Sequence, residues 1–313
     1  MSNRGRATHR RAVVVALVVV LLFVTACSSG DAGSSADPTL STLPTATIPT
    51  QAKDEAAAAL VPEKIASKGR LVFGMDASYP PMEFLAPGGS KIIGMDADIG
   101  TAIAQVLGLK PVQENMGFDA IITGMMANRY DIGLSAFTDT PERQQVVDFV
   151  NYYNAGQAFY VKAGSALTFT STESLCGSTV AVQAGTVEVD EAKEASTSCT
   201  EAGKKAVAVR SFPDQNSVSL AVSSGRADVG FADSPVVGYL LASTRGMFQE
   251  SGGIINSAPY GIAVPKGSSL ARAVQTALKV LIANGTYGVI MEKWGTESGA
   301  VTEAQVTING GGK

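Results

Sequence analysis

The residues with the clearest chemical potential lie in the stretch SAFTDTPERQQVVDF, which runs from Ser135 to Phe149. Arg143 is a permanent cation whose planar guanidinium can bind a carboxylate through two parallel hydrogen bonds. Ser135 and Thr138 precede it and can add hydroxyl or backbone hydrogen bonds. The stretch begins like a turn and ends like one face of a helix, so we expect the N–H groups of a helix N-terminus beside Arg143. These features indicate an anion-binding site.

Histidine is almost absent, because the only one is His9 in the basic N-terminal region. Ser-His-Asp triads, Cys-His dyads and His-ligated zinc are therefore excluded for the mature protein. An enzyme would have to use carboxylates, Lys, Tyr or Arg. We predict a protein that binds a ligand without catalysing a reaction, with no metal ion and no cofactor.

The N-terminus has the pattern of a secretion signal, predicted over residues 1–26. The basic stretch MSNRGRATHRR precedes AVVVALVVVLLFV, an apolar run of 13 residues that is short for a membrane span. The run is followed by TAC, and VTAC resembles a lipoprotein processing box, so Cys27 is predicted to become the lipidated N-terminus. An ordinary signal peptide with an incidental cysteine is the alternative.

Residues 27–61 are predicted to be the lipidated cysteine and a flexible tether, because they are rich in Ser, Thr, Pro and Ala without apolar periodicity. Removing the signal leaves 20 basic and 28 acidic residues, a net charge of −8, which argues against a nucleic-acid partner. The two other cysteines, Cys176 and Cys199, are predicted to form a disulfide, the simplest interpretation of a pair in a secreted chain.

From about residue 62 onwards, strand-like and helix-like segments alternate, which predicts an α/β fold with parallel strand pairing. Predicted strands include RLVFG, KPVQENM, STVAVQAG, KAVAVRSF and YGIAVPKG, and MEFLAPGGSKIIG is a predicted hairpin. DADIGTAIAQVLG is a predicted helix, capped by Asp96 and ended by Gly108. We interpret Asp96 and Asp98 as capping and structural residues, not as ligand contacts.

Two segments resemble each other, FDAIITGMMANRYDIGLSA and SVSLAVSSGRADVGFAD. In each, a helix is followed by a strand that an Asp opens and a polar residue follows, Ser135 in the first and Asp233 in the second. The repetition indicates two similar lobes whose strand ends meet at a shared crevice, the usual ligand site of open α/β sheets.

Eight motifs, in order, resemble those of the family-3 extracellular solute-binding proteins, the receptors of polar amino-acid ABC importers. They are MDASYPPMEF, GMDADIGTAIAQVLG, GFDAIITGM, YDIGLSAFTDTPERQQVVDF, VAVQAGTVE, SGRADVGFADSP, YGIAVPKGS and NGTYGVIMEKWG, within roughly residues 62–299. The resemblance implies a two-lobed, periplasmic-binding-protein-like fold of type II with two crossover hinge strands. It places lobe 1 at 62–153 plus 260–313, lobe 2 at 157–256, and hinges near 154–157 and 256–260.

The same resemblance implies how an amino acid would be bound. Arg143, the Arg of a T-x-x-R pattern, would bind the α-carboxylate, with Ser135, Ala136 and Thr138 beside it. Asp233 would bind the α-ammonium, although it could also cap the helix that begins SPVVG. The two charges would form a clamp for a zwitterion, one from each lobe.

The remaining contacts that the resemblance implies are Asp76, Tyr79, Phe118, Gln183, Thr186 and Val187. Tyr79 and Phe118 would hold the ligand side chain between two rings. Asp76 would meet a polar or cationic side chain, unless Ser78 saturates it. The Thr186 loop would donate hydrogen bonds to the carboxylate from lobe 2, and a helix cap is the alternative role of Thr186. Gln183 and Glu188 occupy positions that vary in the family.

Together, these expectations describe a monomeric receptor that is lipid-anchored to the outer face of the cell membrane. It would close its lobes on a polar amino acid, with a basic or amide side chain, and deliver it to an ABC permease. Two alternatives remain. One is a secreted dehydratase of the same fold that acts on a prephenate-like substrate through a carboxylic acid. The other is a ligand-binding sensor domain.

Overall fold

The computed structural model of the protein describes residues 43–312, so the predicted signal peptide and Cys27 lie outside the described residues. Within residues 43–312, no helix is both long enough and apolar enough to cross a membrane. The α-helices are α1 (Glu55–Ala58), α2 (Glu63–Ala66), α3 (Met95–Val106), α4 (Phe118–Met126), α5 (Val187–Glu201), α6 (Gln215–Ser223), α7 (Ser234–Ser243), α8 (Leu270–Ala283) and α9 (Thr286–Trp294). The strands are β1 (Arg70–Met75), β2 (Ser78–Tyr79), β3 (Glu83–Leu85), β4 (Ile92–Ile93), β5 (Lys110–Asn115), β6 (Ile132–Gly133), β7 (Val147–Lys162), β8 (Thr179–Gln183), β9 (Ala208–Phe212), β10 (Val229–Asp233) and β11 (Phe248–Pro265).

An eight-stranded sheet connects two lobes in the order β5-β1-β6-β11-β7-β10-β8-β9, and β2, β3 and β4 form a small second sheet. In lobe 1, β1 pairs in parallel with β5 and β6. In lobe 2, β8 pairs in parallel with β9 and β10. The long strands β7 and β11 pair antiparallel with each other and run through both lobes. The predicted two-lobed α/β fold with two crossover strands is confirmed.

The pairing of β11 with β7 is irregular where the strands pass between the lobes. The register shifts between Ser251 and Ile255, between Ile255 and Ala258, and between Tyr260 and Gly261. Asn256 has a φ of 47°, a left-handed conformation that Asn tolerates better than most residues. Bulges of this kind bend a strand locally. The hinge function of this region stays a prediction.

The two lobes have cores of different size. Lobe 1 has a large apolar core, in which α3 and α8 pack against the sheet and α9 packs against both helices, and a smaller core between α4 and the ends of β7 and β11. Lobe 2 has two smaller cores, one around the stacked rings of Phe159 and Phe231 and the other around Tyr160. The predicted disulfide between Cys176 and Cys199 is confirmed, and it ties α5 to the turn before β8.

The helix predicted after Arg143 is wrong. Residues Arg143–Gln145 form only a single 3-10 turn, and β7 begins at Val147. Val147 and Phe149, taken as part of one face of a helix, belong to a strand whose residues are almost all buried on both faces, so polarity does not alternate regularly along it. Helix N–H donors are therefore not available beside Arg143.

The predicted cap of α3 is also wrong. The N-cap is Gly94, with a φ of 133°, where a Cβ atom would lie 2.1 Å from the carbonyl oxygen of Met82. Asp96 lies in the first turn, fully buried, and accepts hydrogen bonds from the backbone N–H of Ala136 and the hydroxyl of Tyr152. Asp96 is therefore a structural residue, but it joins the loop at Ala136 to Tyr152 of β7 instead of capping the helix.

The last part of the predicted tether belongs to the folded unit. The side chain of Asp54 caps α1, and its backbone N–H donates to the carbonyl oxygen of Val106 at the end of α3. The N–H of Gln51 donates to the side chain of Gln105, and Asn284 donates to the side chain of Gln51. Residues 51–61 therefore pack on lobe 1.

Candidate functional site

A small cavity of about 10 Å³ lies in the cleft between the lobes. It is lined by Asp76, Tyr79, Glu83, Phe118, Ala136, Thr138, Arg143, Gln183, Thr186, Val187, Glu188 and Asp233. All of the predicted contact residues except Ser135 line it, and Glu83 and Glu188 are additional. A cavity of this size has room for about one water molecule. The cavity is small because the side chains of the two lobes contact each other directly.

Arg143 enters the cleft from lobe 1 and reaches lobe 2. Its Nη1 donates to the carbonyl oxygen of Thr138 at 2.8 Å, and its Nη2 donates across the cleft to that of Gly185 at 2.9 Å. The rings of Phe118 and Phe137 each lie 5.6 Å from the guanidinium carbon. Burial lowers the pKa of Arg143, but a guanidinium stays protonated in proteins. The cleft therefore contains a fixed positive charge held by carbonyl groups.

Asp233 lies at the C-terminal end of β10 in lobe 2 and faces lobe 1, which carries Arg143. Its Oδ2 accepts a hydrogen bond of 2.8 Å from the hydroxyl of Tyr79, and its backbone N–H donates to the same hydroxyl at 3.2 Å. Although Asp233 precedes α7, its side chain does not cap that helix. Burial raises the pKa of Asp233 to about 6. The carboxylate thus points into the cleft, as a ligand contact requires.

Asp76 forms a third contact between the lobes. Its Oδ2 accepts hydrogen bonds from the side-chain amide of Gln183 at 2.7 Å and from the backbone N–H of Phe118 at 3.0 Å. Ser78 accepts a hydrogen bond from the N–H of Gln215 on lobe 2. Burial raises the pKa of Asp76, and its hydrogen bonds oppose the shift.

Glu83 is fully buried, and its Oε2 has no hydrogen-bond partner among the described residues. Its Oε1 accepts a 2.7 Å hydrogen bond from Ser135. Burial, followed by the nearby charge of Asp96, raises the pKa of Glu83 well above its usual range. Ser135 does not line the cavity, because its hydroxyl joins Glu83 to the backbone N–H of Asp76. Ser135 thus supports Glu83 and Asp76 in this structure, and its role as a ligand contact stays a prediction.

The N-terminus of α5 supplies the helix N–H groups that were expected beside Arg143, but it does so from lobe 2. Thr186 occupies the N-cap position, and its hydroxyl donates to the carbonyl oxygen of Gln183 instead of capping the helix. Glu188 follows in the first turn and accepts a hydrogen bond from Gln157. Burial, followed by the charge of Asp233, raises the pKa of Glu188 to about 8.

The carboxyl groups that line the cavity outnumber the cationic groups. Four carboxyl groups face it, from Asp76, Glu83, Glu188 and Asp233, against the single guanidinium of Arg143. No cluster of three or more His, Cys, Asp or Glu side chains within residues 43–312 is arranged to hold a metal ion. Glu83 was not among the predicted site residues. The sequence feature that could have indicated it is a Glu between two apolar residues in the MDASYPPMEF motif.

The chain belongs to the bacterial extracellular solute-binding proteins of family 3, which match residues 71–297. It is 36% identical over 249 residues to the arginine-binding protein ArgT of Corynebacterium glutamicum, covering 79% of this chain and 81% of that one. An ancestral arginine-binding protein bound to glutamine is 35% identical, with a TM-score of 0.66 over 73% of this chain and 98% of that one. AncCDT-1, an ancestral amino acid-binding precursor of cyclohexadienyl dehydratase, is 34% identical, with a TM-score of 0.66 over 74% and 98%. The predicted family resemblance is confirmed.

Proposed function

We propose that this protein is an extracytoplasmic receptor for a basic amino acid, with L-arginine the first candidate, which it delivers to an ABC importer. The observation that carries the proposal is the excess of carboxyl groups around one guanidinium in the cleft. A buried charge without a partner costs several kcal/mol, so an acidic cleft favours a ligand with an additional positive charge. The arginine-binding relatives support the same choice.

Each charge of L-arginine has a partner in the cleft. Arg143 and the N-terminus of α5 bind the carboxylate, which is the anion that both a guanidinium and helix N–H groups prefer. Asp233, positioned by Tyr79, binds the ammonium. Asp76 and Glu83 line the lobe 1 side of the cavity and are the carboxyl groups that remain for the ligand guanidinium.

Binding requires the lobes to separate and close again. The hydrogen bonds from Arg143 to Gly185, from Tyr79 to Asp233 and from Gln183 to Asp76 join the lobes directly. An amino acid replaces these bonds with its own charged groups. Its higher affinity for the closed arrangement then drives closure. The liganded closed form is what docks on the permease.

Lipidation of Cys27 anchors the receptor to the outer face of the membrane, and the residues between Cys27 and the folded unit form the tether. Multiple acyl chains make such anchoring firm. Globomycin treatment of cells that produce the protein tests this step, since it blocks signal removal from lipoproteins. Accumulation of the uncleaved form is expected, and normal processing contradicts lipidation.

Isothermal titration of the purified protein with L-arginine and L-citrulline tests the charge argument, because citrulline has nearly the same shape but a neutral side chain. We expect arginine to bind at least about tenfold more tightly, a difference of about 1.4 kcal/mol. Lysine and glutamine serve as the second charged and neutral pair. Equal affinity for arginine and citrulline would contradict the proposed ligand class.

A second candidate is a dehydratase, favoured by the similarity to AncCDT-1 and by Glu188, a buried carboxyl whose pKa of about 8 keeps it protonated at neutral pH. A protonated carboxyl can act as a general acid. Incubation with prephenate and detection of phenylpyruvate decides between the candidates. We expect no turnover above that of a Glu188→Gln variant.

A further inference from the structure

We propose that the C-terminal tail, residues 300–312, is a positioning element for the carboxylate loop, residues 138–143. The inference rests on the proposed function, because it assumes that Arg143 binds the ligand carboxylate. The tail follows the last helix and does not line the cavity that contains Arg143 and Asp233, although Gly312 lines a neighbouring groove between the lobes. Its contacts converge on the loop that holds Arg143.

The tail runs back along the start of β7. Ala300 forms a bridge with Tyr153, and Ile308 forms one with Val150. The N–H of Asn309 donates to the carbonyl oxygen of Phe149, at 2.9 Å. The tail thereby follows β7 in the direction of the carboxylate loop, which immediately precedes that strand.

At its end the tail reaches Asp139, the second residue of the carboxylate loop. Asp139 is 2% exposed, and its Oδ2 accepts hydrogen bonds from the N–H of Gly311 at 2.9 Å and from the side chain of Asn151 at 2.8 Å. Its Oδ1 accepts one from Gln144, whose side chain also donates to the carbonyl oxygen of Gly311. The buried carboxylate therefore depends on the tail for one of its three donors.

Gly311 is the point of closest approach between the tail and the loop. A Cβ atom at this position would lie 1.8 Å from the carbonyl oxygen of Asp139, and contact with backbone cannot be relieved by a side-chain rotation. The absence of a side chain is thus a requirement of this packing. Any larger residue must displace either the tail or the loop.

The carboxylate loop is held on two sides. On one side Thr138 forms a bridge with Tyr260 of β11, and the N–H of Asp139 donates to Pro259. On the other side the tail binds the side chain of Asp139. Thr138 is the residue whose carbonyl oxygen accepts from Nη1 of Arg143, so movement of the loop changes the direction of the guanidinium. A change in the direction of the guanidinium weakens bidentate binding of a carboxylate, because the two parallel hydrogen bonds need a fixed geometry.

Three variants test the proposal: Gly311→Ala, a deletion of residues 309–313, and Gly288→Ala as the matched control. Gly288 lies in α9 of the same lobe, and a Cβ there meets nothing within 4 Å. Titration with L-arginine is compared with titration with L-argininamide, which lacks the carboxylate. We expect Gly311→Ala and the deletion to weaken arginine binding about tenfold, as for a charged hydrogen bond, and to leave argininamide binding unchanged.

Equal weakening of both ligands, or no weakening of either, overturns the proposal. If the wild-type protein binds neither ligand, the proposed function fails, and amide hydrogen exchange of ligand-free protein then decides on the tail. We expect faster exchange in residues 138–145 of Gly311→Ala, with lobe 2 unchanged. Unchanged exchange in that segment overturns the positioning role. Should the deletion prevent folding, Gly311→Ala carries the test alone.

Discussion

Ser135 follows β6 and Asp233 ends β10, the corresponding strand of the other lobe, yet the two side chains have different roles. Ser135 is turned into lobe 1, where it connects Glu83 to the backbone of Asp76. Asp233 is directed across the cleft and accepts a hydrogen bond from Tyr79. The Ser135 side chain thus stabilises its own lobe, whereas the Asp233 side chain contacts the other lobe.

The hydrophobic cores of the two lobes also differ. Lobe 1 has one large core and one small core, with α3 and α8 on the sheet, and the C-terminal tail and residues 51–61 add further contacts. Lobe 2 has two smaller cores and a disulfide. Similar topology therefore does not require similar energetics. We expect lobe 1 to act as the platform for the ligand and the contacts of lobe 2 with the ligand to decide closure.

The largest effect is expected for Asp233→Asn, which keeps the shape of the side chain but removes its charge. Losing one partner of a buried charged pair costs about 2–5 kcal/mol, so the affinity for L-arginine should fall by about two orders of magnitude. Asp228→Asn, at the exposed start of the same strand, is the control and should bind normally. Titration calorimetry measures both, and similar affinities in the two variants would contradict the clamp.

The next effect concerns stability. Replacing both cysteines in Cys176→Ala/Cys199→Ala removes a cross-link with a sequence separation of 23 residues. The chain-entropy model gives a loss of about 3 kcal/mol in the free energy of unfolding. Urea denaturation with and without reductant measures the loss in wild type, and the variant should not respond to reductant. A free energy of unfolding within error of wild type would show that lobe 2 does not need its disulfide.

A smaller effect is expected from pH. The pKa of Glu188 is raised to about 8 and that of Asp233 to about 6, so folding favours their protonated forms. The stability that they give the ligand-free protein is fully present below their usual values, near 4, and is lost as pH rises through the raised ones. A cationic ligand favours the ionised carboxyls, so its binding releases protons. Its affinity should rise from pH 6 to 8 by at most about tenfold per pH unit.

Titration calorimetry over this pH range, in buffers of different ionisation enthalpy, counts the released protons. Glu188→Gln should flatten the rise above pH 6.5. A full slope in that variant would assign the proton to Glu83, whose pKa is also raised by burial. The site of proton release would then lie in lobe 1, which would reverse the comparison between the lobes.

The smallest effect is expected for Ser135→Ala. The substitution leaves Oε1 of Glu83 without its donor and the N–H of Asp76 without its acceptor, so the free energy of unfolding should fall by about 1 kcal/mol. The affinity for L-arginine should change less than threefold, an effect far below that of Asp233→Asn. Thermal unfolding and titration measure the two quantities. A loss of affinity equal to that of Asp233→Asn would make Ser135 a ligand contact after all.

The sequence predicts those parts of the site that depend on local patterns. Strand ends and turn residues indicated that Arg143 and Asp233 lie at a common crevice, and the family resemblance implied the T-x-x-R role of Arg143, the role of Asp233 and the neighbouring contacts. The start of β7 was predicted wrongly, because a strand buried on both faces lacks the alternation that distinguishes it from a helix. The partners of Asp139 were not predicted, since Gly311 is 172 residues away along the chain.

The anchorage of residues 51–61 has a mechanical consequence. Gln51 and Asp54 are bonded to the end of α3 and to Asn284 after α8, all of them in lobe 1. Leu43 and Pro44 lie against the same lobe, in a groove beside Asp98 and Trp294. A force applied to the chain before Gln51 is therefore borne by one lobe and does not pull across the cleft. Lobe 2 carries none of this load.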